Sequence, residues 1–103
     1  MINIICPSRY KINRRLLKKN IIPLPNIDVN IIFVGKNKIR FLANKYKKDN
    51  IIHPVLSFYY KEENLVEIFI CYPQAVLLAA ERNKKLEETI LYLIDHSFRE
   101  IKI

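Results

Sequence analysis

Val55-Leu56-Ser57-Phe58-Tyr59-Tyr60, then Lys61-Glu62-Glu63-Asn64, then Leu65-Val66-Glu67-Ile68-Phe69-Ile70-Cys71-Tyr72: two β-rich runs stand either side of a short polar turn. β-branched and aromatic side chains fit a pleated, half-buried surface, so each run predicts a strand. The polar turn predicts that the two strands form a hairpin or lie next to each other. Downstream, Pro73 suits the first turn of a helix over Gln74–Arg82, with Val76, Leu77 and Ala80 packing inward and Asn83 ending it. From Lys84 to Glu100 there is no Gly or Pro, and Leu86, Ile90, Leu93, Ile94 and Phe98 recur with the period of an amphipathic helix.

Upstream, Asp49–Pro54 reads as a loop. Lys38–Lys48 predicts a helix with Ile39, Leu42, Ala43 and Tyr46 on one face and Lys38, Arg40, Lys45, Lys47 and Lys48 mostly outside. Gly35, the single glycine, sits where the backbone must turn into that helix. Asp28–Val34 is dense in Val, Ile and Phe, as a strand buried on both faces would be. Pro23 and Pro25 make Asn20–Asn26 a connection. Arg9–Lys19 predicts a basic helix with a narrow stripe of Ile12, Leu16 and Leu17, capped by Ser8. Ile2–Cys6 predicts a first strand, stopped by Pro7. The order is β-α-β-α-β-β-α-α. It predicts an α/β (α+β) fold, a small mixed sheet of about four strands with helices packed on it. At 103 residues, one domain over 1–103 is expected.

Half the residues are hydrophobic and 27% are charged, an ordinary globular balance. No apolar run approaches the ~20 residues that span a bilayer, so no membrane partner is expected. The first residues lack the basic segment of a secretion signal, and the expected location is the cytoplasm. Cys6 and Cys71 form no CxxC pair and read as buried thiols.

The net charge of +8 is uneven. Residues 1–48 hold twelve Lys and Arg against Asp28 alone, a net +11; the rest nets −3. This is the footprint expected of a protein that meets a polyanion, here RNA or the ribosome, through Arg9, Arg14, Arg15, Lys38, Arg40, Lys45 and Lys47. A solvated face that keeps a small protein soluble is the competing explanation.

His96 lies at the edge of the last helix's apolar stripe, and Glu100 follows one turn later on the same face. An imidazole nitrogen and a carboxylate oxygen at this spacing can ligate Zn²⁺. A packed or solvated histidine is the alternative. No small-molecule cofactor is expected.

Val34-Gly35, then Ile39, Leu42 and Tyr46, then Val55-Leu56-Ser57-Phe58, then Ile68-Phe69-Ile70-Cys71, then Leu93-Ile94-Asp95-His96 follow the order and spacing of the YbeY family, which the chain resembles over residues 27–100. The resemblance implies a mixed α/β fold. It also implies a zinc-dependent endoribonuclease of ribosomal RNA maturation, acting notably at the small-subunit 3′ end, with its metal on the long helix. That family's zinc motif is H-G-x-x-H with a third His six residues on. His96 matches the first ligand, Ser97 replaces the Gly, Glu100 replaces the second His, and the third would fall at position 106, past Ile103. Lys47 stands where the family has a functional Arg, keeping the charge but losing the bidentate fork. It is the candidate for stabilising phosphoryl charge in the transition state. The family's Pro-Thr-Asp reads Ile52-His53-Pro54. His53 could swing in as a further ligand or be a plain loop histidine. Cys71 should face the core. A hydrolytic zinc site needs three protein ligands and an open position for water. Two outcomes follow: a metal-dependent endoribonuclease of reduced activity with zinc at low occupancy, or a degenerate relative that binds ribosomal RNA or the ribosome without cleaving. A small basic RNA-binding domain of accidental similarity is the third.

Overall fold

A computed structural model describes residues 1–101. Four strands, β1 (Ile2–Ile5), β2 (Asp28–Val34), β3 (Val55–Tyr60) and β4 (Leu65–Cys71), form one sheet in the order β1-β2-β4-β3. β1, β2 and β4 run parallel, and β3 pairs antiparallel to β4 at the edge, with Leu56 opposite Phe69. The polar turn between β3 and β4 is a 3₁₀ turn over Lys61–Glu63, closed by Asn64 in the left-handed region that Asn tolerates. Four helices are α1 (Arg14–Asn20), α2 (Lys36–Leu42, continued as a π turn over Ala43–Lys47), α3 (Tyr72–Glu81) and α4 (Leu86–Glu100). The mixed sheet and the order of elements are those expected from the sequence.

Strand alternation sorts the core into two layers. Ile4, Val29, Ile31, Phe33, Val66, Ile68 and Ile70 face one side, where Leu17 of α1, Ala75 of α3 and Ile90, Leu93 and Ile94 of α4 cover them. Leu56, Phe58, Phe69, Cys71 and Val34 face the other side, under Ile39, Leu42 and Ala43 of α2. β2 is therefore fully buried on one face and only half-covered on the other, because α2 shields one end of the second face and leaves Ile5 of β1 exposed. Burial raises the pKa of the Cys71 thiol, which keeps it protonated and inert in this layer.

Several local expectations are corrected. α1 starts at Arg14, and its cap is Asn13, whose side chain accepts a hydrogen bond from the Leu16 N–H at 3.0 Å, not Ser8. Residues before it leave the helix because Tyr10 stacks on Tyr72, ring centroids 4.4 Å apart, and its N–H turns back to Pro7. Leu16 then lies exposed, and Leu17 carries the packing. Gly35 is not a strained turn; its backbone is extended, which any residue adopts. A Cβ there would stand 3.2 Å from the Tyr10 hydroxyl, so Gly35 makes room for that tyrosine. In α3 the inward residues are Ala75, Leu78 and Ala79, while Val76 and Leu77 are exposed. The helix starts directly at the end of β4 and packs chiefly against α4, with Ala75, Leu78 and Ala79 on the covered side.

Thr89 is fully buried on α4, and its hydroxyl finds no hydrogen-bond partner among the described residues. A buried unpaired hydroxyl costs about 1 kcal/mol or more, and valine has the same shape without it. Thr89→Val is expected to raise the melting temperature by roughly 4–8 °C; a fall in thermal unfolding temperature would show that the hydroxyl is satisfied.

Candidate functional site

A cleft of about 410 Å³ opens beside the start of β3, where the edge strand, the end of α3 and the second half of α4 meet. Lys47, His53, Arg82, Tyr92, His96 and Glu100 line it. Each side chain arrives for a local reason. Lys47 ends the π turn, after which Lys48 in the left-handed region breaks the helix and sends the chain back towards β3. Arg82 stands at the C-cap of α3. Tyr92, His96 and Glu100 are spaced by single turns on the outer face of α4, whose inner face is spent on Ile90, Leu93 and Ile94.

His96 Nε2 and Glu100 Oε2 are 3.1 Å apart, and both side chains are about half exposed, at 52% and 54%. The guanidinium of Arg82 lies 4.2 Å over the Tyr92 ring, which in turn is near-parallel to His96 at 6.5 Å between centroids. Cleft walls thus carry two cations, the His96–Glu100 pair, His53 and a Tyr92 ring that Arg82 covers. The cations suit such a surface to a phosphodiester.

His53 does not reach towards the His96 pair. Its Nε2 sits 3.2 and 3.1 Å from the two carboxylate oxygens of Asp49. A hydrogen bond from the Ile51 N–H, then His53, holds the Asp49 carboxyl below its usual pKa. No group of three His, Cys, Asp or Glu side chains that could hold a metal ion occurs among the described residues. His96 and Glu100 therefore fit a divalent cation in part, offering two donors on one turn. Ser97 is buried between them and the core, its hydroxyl donating to the Leu93 carbonyl at 3.0 Å.

The basic residues do not form one patch. Lys38, Arg40, Lys45 and Lys47 ride α2 and its π turn on one side of the sheet. Arg15 is exposed on α1, which packs on the opposite side. Arg9 lies 4.7 Å over the Tyr10 ring. Arg14 is occupied within the fold, donating to the carbonyls of Ile4 at 2.6 Å and Cys6 at 3.1 Å and so tying α1 to the end of β1. Sequence reasoning missed Arg82 and Tyr92 in the cleft. Tyr92 was findable, because it lies one turn before His96 on the same face.

A family model described as Endoribonuclease YbeY matches residues 9–99. Curated proteins called Endoribonuclease YbeY are similar, among them the following. That of Phytoplasma australiense is 34% identical over 85 residues, taking in 75% of this chain and 59% of the relative. That of Finegoldia magna is 32% identical over 78 residues, with 70% and 51% covered. That of Aster yellows witches'-broom phytoplasma is 30% identical over 98 residues, with 86% and 67% covered. The chain spans about half to two thirds of the length of these relatives. The fold is similar to the solution structure of TM1509 from Thermotoga maritima, with a TM-score of 0.61 and 23% identity over 95% of this chain and 69% of that one.

Proposed function

This chain belongs to the YbeY family, and from that premise we propose that it acts on ribosomal RNA in the maturation of the small-subunit 3′ end, as a metal-dependent endoribonuclease of low activity. The observation that supports this most is the meeting of Lys47, His96 and Glu100 in one cleft. A zinc ion, where bound, would be held by His96 and Glu100 and would supply Lewis acidity and an acidified water. The rest of the work falls to this chain's own side chains. Lys47 and Arg82 bring positive charge to a phosphate entering the cleft, and Lys47 stabilises the charge that grows on it during displacement. Val55, Leu78 and Leu93 add an apolar wall to the same cleft. Asp49 holds the His53 ring at the cleft wall through Nε2.

Two donors leave most of an ion's coordination to water, and such a seat binds weakly. The second reading follows from that observation: the chain binds ribosomal RNA, or the ribosome, and cleaves little or none of it.

Both readings share RNA binding through the α2 charges that lead to the cleft. Phosphate contacts release counterions, so affinity should fall linearly in log–log plots against salt. Reversing Lys38 and Arg40 to Glu should flatten that slope by about 2 and weaken binding to unrelated RNA sequences about equally, since phosphates carry no base information. Arg15→Glu, on the other side of the sheet, should matter less. Filter binding over a salt series reads this directly; affinity indifferent to salt would contradict it.

A further inference from the structure

We propose that Phe41 and Tyr46 are base-stacking residues, and that the outer row of α2 takes unpaired nucleobases of single-stranded RNA while Lys38 and Lys45 hold the neighbouring phosphates. The proposal rests on the RNA-binding reading above and names the side chains that take the bases.

α2 spends Ile39, Leu42 and Ala43 on the core. Phe41 and Tyr46 are left 56% and 53% exposed, although both are large aromatics. They are not a bare apolar patch. Lys38 Nζ lies 5.4 Å and Lys45 Nζ 5.9 Å from the Phe41 ring centre, and Lys45 Nζ lies 5.2 Å from that of Tyr46. From Lys36 to Lys48 the sequence carries six cations and no acid. A protein partner or a second copy of this chain would have to bring the matching negative charge, whereas RNA brings a phosphate with every base. Aromatic faces interleaved with cations are the pattern that holds single strands, because every base has a π face and every nucleotide a charge. Tyr46 is also held in place: its ring meets Phe58 edge-on at 5.1 Å, and Phe58 meets Phe69 at 5.9 Å.

Both rings lie within reach of the Lys45 ammonium, at 5.9 and 5.2 Å from their centres. A ring can stack on a base only where that base's face is not already covered by its neighbours in a duplex, so the row suits unpaired strand. Lys47 follows Tyr46 and lines the cleft, so a strand stacked on this row runs on towards His96.

The protein contains no tryptophan, so Phe41→Trp gives a single fluorescent reporter on the row. Its emission should be quenched by an unpaired oligoribonucleotide and not by a duplex of equal length. Phe41→Leu keeps an exposed apolar side chain and loses the ring. It should weaken single-strand binding about five- to thirtyfold and leave duplex binding unchanged. An abasic oligonucleotide should bind wild type and Phe41→Leu equally. An equal loss for single strand and duplex, or no quenching, would overturn the stacking proposal while salt-dependent RNA binding persists. Wild-type protein that binds no RNA would instead remove the reading on which it rests. A fall in the solution mass of the chain on Phe41→Leu would assign the row to self-association and also overturn it.

Discussion

His96→Ala is expected to bring RNA cleavage by this chain down to the level measured with a chelator present, while RNA affinity stays within about twofold. His96 provides the one imidazole nitrogen of the α4 pair, and Glu100 alone is a single exposed carboxylate. Losing the nitrogen leaves a cation held by one donor, too weakly to sit in the cleft at working metal concentrations. The fold should tolerate the change. His96 is half exposed, and an exposed i,i+4 pair is worth only about 0.3–0.5 kcal/mol. RNA affinity should hold because the proposed phosphate contacts lie on α2, a different element. The assay is cleavage of a single-stranded fragment from the small-subunit RNA 3′ end, run with and without chelator and alongside a binding measurement. Chelator-sensitive cleavage that survives His96→Ala would place the metal elsewhere.

The second large effect runs in the opposite direction. Glu100→His, with a further His supplied at position 106 where the family motif has one, should raise zinc affinity on the order of a hundredfold. Structural zinc sites gather about 10–16 kcal/mol from four ligands, roughly 3 kcal/mol apiece, and each 1.4 kcal/mol is tenfold. The Ser97 position should be left alone. Its buried hydroxyl is bonded to the Leu93 carbonyl, and a glycine there would loosen the helix turn that carries His96. Calorimetric zinc titration of the two chains gives the ratio. No gain from the added donors would mean that they do not converge with His96 on one ion.

Much of the fold was legible because its elements are dense in the right residue types. β2, β3 and β4 lie on the residues that their Val, Ile and Phe runs mark, and the stripe of α4 buries Ile90, Leu93 and Ile94 as its spacing requires. The errors share a cause, which is distance. Tyr10 leaves the first helix to stack on Tyr72, sixty-two residues away in sequence, and no local window contains that contact. Hydrophobicity points to Val76 and Leu77 for the inner face of α3, whereas the packing of α3 against α4 buries Ala75 and Ala79. Summing charge over the first half of the chain treated α1 and α2 as one surface, but successive crossovers place them on opposite sides of the sheet. In the site, the one-turn spacing of His96 and Glu100 was readable from α4 alone. Arg82 and Lys47 meet them only because α3 ends and the π turn unwinds beside the start of β3.

What remains to be measured is whether His96 and Glu100 hold a metal ion beside the basic α2, as proposed. A competition titration of zinc against a chromogenic chelator, on wild type and His96→Ala side by side, tests it most directly. We expect weak binding, with a Kd of about micromolar or weaker, made weaker still by His96→Ala. Nanomolar zinc in the wild-type chain, or an affinity that His96→Ala leaves unchanged, would contradict it.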